Sequence, residues 1–154
     1  MRPNNVILLV EDRVGDVELT RRAFEKADIA SDIVVVSDGA EAISYLFATG
    51  RHADRDPTVM PRLVLMDLKL PKVDGLEVLR RMRADERTRR LPVVILTSSN
   101  EQEDVILGYD LGANSFLRKP VNFDQFVDVA KVLGLYWLVM NEPPPSSQTT
   151  AAHE

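Results

Sequence analysis

Acidic, hydroxyl and basic residues stand at the ends of short apolar runs in this sequence. Glu11 and Asp12 follow the run VILLV, Asp67 follows LVLM, Thr97 ends VVILT, and Lys119 comes shortly after SFL. The carboxyl ends of neighbouring parallel strands meet at one edge of a sheet, so strands of this kind would bring these side chains together. Clustered carboxylates repel one another, and magnesium, which prefers oxygen ligands and binds carboxylates together with phosphate oxygens, relieves that repulsion. The pattern therefore predicts a magnesium site, with Lys119 as a second positive charge.

The apolar runs have the pattern of strands that are covered on both faces. VILLV (6–10), IVVV (33–36), LVLM (63–66) and VVIL (93–96) are continuously apolar rather than alternating, which is typical of parallel sheets. A fifth, shorter run is SFL (115–117), and segments with helical periodicity lie between the runs. Alternating strands and helices predict right-handed βαβ units. We expect a doubly wound α/β fold with a five-stranded parallel sheet and five helices.

Candidate helix caps and the chain length indicate the domain organisation. Asp38, Asn100 and Asn122 each offer a side-chain acceptor at the start of a predicted helix, and the last predicted helix ends near Asn141. We expect one domain over residues 1–141, because 154 residues suffice for one substantial hydrophobic core and are too few to require two. Residues 142–154 are rich in Pro, Ser and Thr and contain no large apolar side chain, which predicts a disordered tail.

Composition narrows the possible classes of function. The net charge of −5 argues against nucleic-acid binding, because proteins that bind nucleic acid present a basic face or stripe. The chain has no cysteine, which excludes a disulfide framework, a thiolate metal site and a cysteine nucleophile. Its two histidines, His52 and His153, lie in a polar loop and in the last two residues, which disfavours a zinc site and histidine catalysis. The first apolar run reaches charged residues too soon for a signal peptide or a membrane span. We therefore expect a cytoplasmic protein with no membrane partner.

Four segments of the chain resemble the receiver domain of two-component response regulators. They are LLVED, LVLMDLKLPKVDGLEVL, VVILTSS and SFLRKPVNFDQF, and the resemblance extends from about Val6 to Asn141. VEDRVGD with Asp16, KPVNFDQF and LYWLVM also resemble the single-domain regulators that partner bacterial phytochrome kinases. The resemblance implies the strand order 2-1-3-4-5 and a phosphoprotein that receives its phosphoryl group from a sensor histidine kinase. It also implies a self-phosphorylating and autodephosphorylating phosphoacceptor rather than a turnover enzyme.

The same resemblance implies roles for the residues at the strand ends. Asp67 is the expected phosphoacceptor, Lys119 contacts a phosphoryl oxygen, and Thr97 donates its hydroxyl to another. Lys69 and Ser99, two positions beyond Asp67 and Thr97, are expected to tune the lifetime of the phosphorylated form. The expected magnesium ligands are Asp12, Asp67, the backbone carbonyl of Lys69, and Glu11 acting through a water molecule.

A conformational switch is also implied by the resemblance. Thr97 moves toward the phosphoryl group and vacates space for the aromatic residue of the fifth strand, Phe116, to turn inward. The Lys119–Pro120 bond is expected to be cis, and Pro120 belongs to the switch. Phosphorylation is then read at the face formed by residues 103–117 and the last helix, as a population shift between two packings. An ordinary core position is the alternative for Phe116.

The last helix combines a stripe that can be buried with an apolar end. Phe126, Ala130, Leu133 and Trp137 repeat at helical spacing, whereas residues 135–140 are apolar on all sides. One sheet face cannot cover such an end, so we expect a homodimer built on this helix. Coverage by the loop at residues 48–61 or by the tail is the alternative. The expected interface residues are Val132, Tyr136 and Val139.

Other functions on this fold class fit the sequence less well. A phosphatase or mutase with an aspartyl-phosphate intermediate usually needs a second aspartate two residues after its nucleophile, where this chain has Lys69. A nucleotide or flavin binder needs a Gly-rich or Ser/Thr-rich loop after the first strand, which here reads EDRVGD. A transcription factor needs a DNA-binding module, and thirteen residues follow Asn141. A phosphate-independent receiver-like interaction module and an intermediate in a phosphorelay remain as alternatives.

Overall fold

Five strands and five α-helices alternate along the described part of the chain, which covers residues 5–99, 101–120 and 122–145 of a computed structural model. The strands are β1 (Val6–Val10), β2 (Asp32–Val36), β3 (Leu63–Met66), β4 (Val93–Thr97) and β5 (Ser115–Arg118). The helices are α1 (Val14–Lys26), α2 (Gly39–Phe47), α3 (Gly75–Ala84), α4 (Gln102–Asp110) and α5 (Phe123–Leu133). A short 3₁₀ turn (Gly50–His52) follows α2, and a π-helical segment (Gly134–Met140) continues α5.

The strands are parallel and lie in the order β2-β1-β3-β4-β5. The doubly wound sheet predicted from the sequence is therefore confirmed, together with the strand order that the resemblance implied. β1 and β3 are neighbours with Val10 opposite Met66, and β3 and β4 are neighbours with Met66 opposite Ile95. As a result, the residues at the carboxyl ends of these three strands meet at one edge of the sheet.

The strands are continuously apolar because both faces of the sheet are covered. Successive residues of a strand point to opposite faces, so Leu8 and Val10 belong to one buried cluster and Ile7 and Leu9 to another. The first cluster includes apolar side chains of α2 and α3, and the second includes those of α1 and α5. The three central strands, β1, β3 and β4, therefore contain no polar residue before their carboxyl ends.

Side-chain caps begin three of the helices. Asp38, Asp74 and Asn122 each accept a hydrogen bond from the backbone N–H three residues further on, at 2.7, 3.1 and 3.0 Å respectively. The predicted caps Asp38 and Asn122 are thus confirmed. For α4 the N-cap residue is Glu101, which makes no side-chain capping bond, and the predicted cap Asn100 lies outside the described residues.

The last helix buries the stripe predicted for it. Phe126, Ala130 and Leu133 are buried in the second cluster, and Trp137 packs half-buried against it. The helical segment ends at Met140, close to the predicted end. No helix in the described ranges is long and apolar enough to cross a membrane. Residues 146–154 lie outside those ranges, so a disordered tail over residues 142–154 stays a prediction.

The Lys119–Pro120 peptide bond corrects one expectation. No cis peptide bond occurs among the described residues, and this bond is trans. Trans is the isomer that prolyl bonds intrinsically prefer. The predicted cis bond is therefore wrong.

Candidate functional site

Three carboxylates converge at the carboxyl edge of the sheet. Glu11 and Asp12 follow β1, and Asp67 follows β3. One oxygen of each side chain lies within 4.8 Å of the other two; Glu11 and Asp67 are buried, and Asp12 is exposed. The structure thus brings together the acids that the sequence placed at one edge. An oxygen-only donor set of this kind fits a hard divalent cation.

Both carboxylate oxygens of Asp67 accept hydrogen bonds. Oδ1 accepts from the Leu68 N–H and from the Thr97 hydroxyl, each at 2.7 Å, and Oδ2 accepts from Lys119 Nζ at 3.0 Å. The contact with Thr97 follows from the pairing of β3 with β4, which brings the ends of the two strands side by side. Asp67 is therefore a buried carboxylate with a hydroxyl and an ammonium in direct contact.

Lys119 donates to three different carboxylates. Its Nζ lies 2.6 Å from Glu11 Oε1, 2.7 Å from Asp16 Oδ2 and 3.0 Å from Asp67 Oδ2. A lysine ammonium has three N–H donors, so one is available to each acceptor. Burial alone would lower the pKa of Lys119, but the hydrogen-bonded carboxylates outweigh burial and raise the pKa above its ordinary value. The ammonium therefore remains charged in this site.

Burial raises the pKa of the Glu11 carboxyl above its ordinary value. Hydrogen bonds from Lys119 and from the Arg13 N–H, the latter at 3.2 Å to Oε2, act in the opposite direction without offsetting burial. The neighbouring charge of Asp67 raises the pKa of Glu11 further. Carboxylates thus outnumber ammonium groups in a partly buried site, and a divalent cation would relieve the resulting repulsion.

A glycine allows α3 to begin directly against the site. Gly75 is the first residue of α3, and a Cβ at this position would lie 2.4 Å from the backbone oxygen of Asp67. The Gly75 N–H donates to the Leu68 carbonyl at 2.9 Å, which closes the loop between β3 and α3. Any larger residue would force the loop and the helix apart, so this glycine is required by close approach.

A second polar cluster flanks Asp67. Ser99 donates its hydroxyl to Asp104 Oδ2 at 2.6 Å, and Lys69 Nζ lies 3.9 Å from the same oxygen. The Ser99 N–H also donates to Thr97 Oγ1 at 3.3 Å. Asp104, which the sequence did not single out, therefore links the two positions expected to tune the phosphoryl lifetime. The role of the Lys69 carbonyl as a metal ligand stays a prediction.

The aromatic residue expected to act as a switch lies against α4. Phe116 is half-buried in β5, opposite Ile95. A Cβ at Gly108 of α4 would lie 3.1 Å from the Phe116 ring, so this glycine allows the ring to approach the helix closely. Pro120 follows the lysine of the site. The switch roles of Thr97, Phe116 and Pro120 stay predictions.

Asp16 is the site residue whose contact the sequence pattern did not reveal. It lies in the first turn of α1, five positions after Glu11, and the sequence marked it only as part of a motif. An acid in the first turn of a helix that begins beside the site was the informative feature. Its partner Lys119 is 103 positions away, so the contact exists only because the start of α1 and the end of β5 meet in the fold.

The end of the last helix exposes apolar side chains. The exposed fraction is 66% at Val139 and 74% at Met140. The loop at residues 48–61 and residues 142–145 are described, and neither covers these side chains. The exposed apolar residues of this end are Val132, Leu135, Tyr136, Val139 and Met140.

The family model of the response regulator receiver domain matches residues 7–131. The chain therefore belongs to the response regulator receiver domain family, the class of protein in which its sheet order and acidic edge also place it. The resemblance seen in the sequence is confirmed.

Relatives match this chain over most of its length. The probable methanogenesis regulatory protein FilR2 of Methanothrix harundinacea is 40% identical over 139 residues, which cover 90% of this chain and 87% of FilR2. Response regulator Rcp1 of Synechocystis is 35% identical over 136 residues, which cover 88% of this chain and 90% of Rcp1. The chain is thus homologous to regulators of about its own length.

Solved structures agree with the sequence relatives. The crystal structure of the phosphorylated cyanobacterial phytochrome response regulator RcpA has a TM-score of 0.84 at 35% identity and covers 92% of this chain and 99% of RcpA. The Mn²⁺-bound form of response regulator Rcp1 has a TM-score of 0.82 at 33% identity, with the same two coverages. The receiver fold is therefore shared over nearly the whole chain, and the relatives include response regulators of phytochrome systems.

Proposed function

We propose that this chain is a single-domain response regulator whose Asp67 accepts a phosphoryl group from the histidine of a sensor kinase. The observation that carries the proposal is the environment of Asp67. This buried carboxylate accepts hydrogen bonds from Thr97 and Lys119 and lies within the cluster that it forms with Glu11 and Asp12. A nucleophile, a hydroxyl donor, a fixed cationic group and oxygen donors for a metal thus occupy one edge of the sheet.

Asp67 acts as the nucleophile in the proposed transfer. One carboxylate oxygen forms a bond to phosphorus while the phosphorus–nitrogen bond to the kinase imidazole breaks, and the imidazole nitrogen keeps the electron pair. Lys119 meets the charge of one phosphoryl oxygen, and Thr97 donates its hydroxyl to another. Phosphoryl transfer depends mainly on positioning and charge neutralisation, which these residues supply. Water later hydrolyses the acyl phosphate and restores Asp67, so the protein is a phosphoacceptor rather than a turnover enzyme.

Magnesium is the proposed cation of this site. The side chains of Asp12 and Asp67 and the backbone carbonyl of Lys69 would hold it, with Glu11 acting through a water molecule. When bound, magnesium neutralises charge on these carboxylates and on the incoming phosphoryl group. The Mn²⁺-bound form of Rcp1 supports a divalent cation here, and the oxygen-only donor set supports magnesium over zinc.

The proposed partner is a sensor histidine kinase of the phytochrome type. The similarity to RcpA, a phytochrome response regulator, supports this partner. FilR2, whose name assigns it to the regulation of methanogenesis, is 40% identical to this chain and matches it over most of both lengths. A kinase with an input other than light is therefore the competing partner. Phosphotransfer rates from a phytochrome kinase and from an unrelated histidine kinase discriminate between the two. We place the protein in the cytoplasm, where it acts through protein contacts and binds no nucleic acid.

Phosphorylation is proposed to act through the face formed by α4, β5 and α5. Thr97 would exchange its bond to Asp67 for one to the phosphoryl group, and Phe116 would leave its position against α4 and turn inward. Exposed apolar side chains on α4, including Ile106 and Tyr109, are available to a partner on this face. The output is a shift in population between two packings of one core.

A homodimer through the end of the last helix is also proposed. Val132, Tyr136 and Val139 lie on successive turns and are exposed, with no charged residue between 134 and 140. A second copy presents the same apolar patch, so a two-fold arrangement covers both patches at once. An exposed apolar end of this kind otherwise lowers solubility.

The intact mass of the protein after incubation with phosphoramidate tests the proposed acceptor. We expect one phosphoryl adduct that requires magnesium, appears on the wild type and is lost in Asp67→Asn. Asp54→Asn is the matched control, because it makes the same change at an exposed aspartate and should keep the adduct. An adduct that persists in Asp67→Asn would refute Asp67 as the acceptor.

Absence of any adduct on the wild type would favour a phosphate-independent interaction module. An intermediate in a phosphorelay would instead form the adduct and pass it to a histidine phosphotransfer protein, which the same mass measurement detects on the second protein. Both alternatives are therefore distinguished from the proposed regulator by one type of experiment.

Light scattering across a range of protein concentrations tests the dimer. We expect the mass of a dimer for the wild type and of a monomer for Val139→Asp, because a charge in an apolar interface is costly to bury. Val59→Asp is the control, since it makes the same change at an exposed valine outside the last helix. A wild type that stays monomeric at high concentration contradicts the dimer.

A further inference from the structure

The three carboxylates around Lys119 come from three separate elements. Glu11 follows β1, Asp67 follows β3, and Asp16 lies in the first turn of α1. Their distances to Nζ are 2.6, 3.0 and 2.7 Å respectively, so the bonds to Glu11 and Asp16 are as short as strong charge-assisted hydrogen bonds, and the bond to Asp67 has an ordinary length. Asp16 is the most exposed of the three, with 24% of its side chain accessible.

Asp16 differs from the other two acceptors because it lies outside the cation cluster. The oxygens that approach within 4.8 Å of one another belong to Glu11, Asp12 and Asp67. A divalent cation on these oxygens competes with Lys119 for Glu11 and Asp67 and repels the ammonium. Phosphorylation then converts Asp67 itself, so its carboxylate is no longer the same acceptor for Lys119. Asp16 is the one acceptor that neither event involves.

We propose that Asp16 is the fixed anchor of Lys119, which holds the ammonium at the site while Glu11 and Asp67 turn to the cation and the phosphoryl group. Asp16 is thus a positioning residue for the transfer, acting through Lys119. This inference rests on the proposed role of Asp67 as phosphoacceptor.

Both ends of the contact have a fixed backbone. The Lys119 N–H donates to the Thr97 carbonyl at 2.8 Å, which fixes the base of the lysine side chain beside β4. Asp16 lies in the first turn of α1, and its backbone carbonyl accepts a hydrogen bond from the Thr20 hydroxyl at 2.8 Å. The lysine stem between these points has four rotatable bonds, so the ammonium needs an acceptor at its far end to stay in place. Asp16 supplies that acceptor in every state of the site.

If Asp16 acts by positioning Lys119, its removal should slow the phosphorylation of Asp67, and if it acts only through its negative charge, its removal should speed that reaction. A carboxylate near an incoming phosphoryl anion repels it, so loss of the charge alone would speed phosphorylation. Loss of the anchor lets Lys119 fall back on Glu11 or turn to solvent, which slows phosphorylation. The direction of the change therefore decides between the two.

The rate of adduct formation with phosphoramidate at saturating magnesium provides the first test. In that reaction Asp67 forms its bond to phosphorus as the phosphorus–nitrogen bond breaks and ammonia leaves. We expect Asp16→Ala to be roughly tenfold slower than the wild type, the size of one charge-assisted hydrogen bond, with Asp16→Asn between them. Glu18→Gln is the control, because it removes an exposed carboxylate from the same helix and should leave the rate unchanged.

A double-mutant cycle shows whether Asp16 acts through Lys119. In a Lys119→Met background, Asp16→Ala should cause no further slowing, because the anchored group is gone. Equal slowing in both backgrounds would mean that Asp16 acts by another route, and faster phosphorylation of Asp16→Ala would mean that its charge dominates. Either result overturns the anchor.

A measurement on the unphosphorylated protein separates this inference from the proposed function. The ammonium of Lys119 should give a protected heteronuclear NMR signal, identified by its loss in Lys119→Met. We expect the signal to persist in the wild type when magnesium is added and to disappear in Asp16→Ala under the same conditions. Loss of the wild-type signal on adding magnesium overturns the anchor. Failure of the wild type to form any phosphoryl adduct would refute the role of Asp67 as acceptor, but it would not change the NMR result on the Lys119 ammonium.

Discussion

Glu11 is a buried acid whose charged form is disfavoured in the folded protein. Burial raises the pKa of its carboxyl above the ordinary value of 4.5, and the hydrogen bond from Lys119 compensates only in part. A carboxyl whose pKa is raised by folding contributes its full share of stability below 4.5, and that share is lost as the pH rises through the folded-state pKa. At neutral pH the ionised Glu11 therefore lowers the free energy of unfolding.

Glu11→Gln should raise the free energy of unfolding near neutral pH by about 1 kcal/mol, the usual size of a single-site effect. The amide removes the buried charge and keeps an acceptor for Lys119. The difference from the wild type should vanish below pH 4.5, where Glu11 is protonated in both the folded and the unfolded state. Urea unfolding at a series of pH values, without divalent cations, measures it.

Glu18→Gln is the control for this experiment, since Glu18 is exposed on α1. Added magnesium should narrow the difference between Glu11→Gln and the wild type, because a cation stabilises the charged form of Glu11. A difference of the same size at every pH would contradict the role given to burial.

At the scale of the elements, the loop between β3 and α3 controls the position of Asp67. This loop, residues 67–74, closes on Gly75, whose N–H donates to the Leu68 carbonyl. A second close approach occurs at Gly39, where a Cβ would lie 1.7 Å from the Val73 carbonyl oxygen, so the start of α2 also packs against this loop. The glycines that begin α2 and α3 thus allow both helices to pack against the segment that follows Asp67.

Gly75→Ala should lower the free energy of unfolding by about 2 kcal/mol or more, because its Cβ cannot be accommodated 2.4 Å from the Asp67 backbone oxygen without moving the loop or the helix. The same displacement should slow phosphorylation of Asp67. Urea unfolding and the mass assay measure the two effects.

Gly15→Ala is the matched control for Gly75→Ala. Gly15 lies in α1, and no atom lies within 4 Å of the place that an alanine methyl would occupy there, so alanine should stabilise the helix by a few tenths to about 1 kcal/mol. If the two substitutions change stability in the same direction, close approach at Gly75 is not the reason for glycine there.

At the scale of the whole molecule, helices cover both faces of the central strands, whereas the apolar end of the last helix is not covered. The two buried clusters use both faces of the sheet, whereas the end of the last helix exposes Tyr136, Val139 and Met140. The carboxyl edge of the sheet presents charged side chains around Asp67, whereas the end of the last helix presents an apolar patch. Phosphorylation is measured by intact mass, and self-association is measured by light scattering.

The thermal unfolding midpoint of the wild type should rise with protein concentration if a dimer forms through the last helix, because association stabilises the folded state by mass action. Calorimetry over roughly a hundredfold range of concentration measures this dependence. Val139→Asp should remove the dependence, and Val59→Asp, which changes an exposed valine elsewhere, should retain it. A wild-type midpoint that does not vary with concentration would argue against the dimer.

Local features of the sequence were enough to predict much of the fold and part of the site. Continuous apolar runs identify strands covered on both faces, and Asp38 and Asn122 cap helices through contacts that span three residues. The convergence of Glu11, Asp12 and Asp67 follows from a general rule, because parallel strands present their carboxyl ends at one edge. These predictions depend on periodicity, capping and strand direction, which short segments carry.

The tertiary structure decided what depends on contacts between distant segments. Asp16 meets Lys119 only because α1 begins beside the end of β5, and Gly75 is required only because α3 begins against Asp67. Asp104 links Ser99 and Lys69 from the first turn of α4. The sequence by itself determined the strands, the caps at Asp38 and Asn122 and the acids at the strand ends, because those arise from local chemistry and a periodic pattern. The partners of Lys119 were decided by the packing of elements, because hydrogen bonds reach only about 3 Å and no local pattern reports which remote residue comes that close.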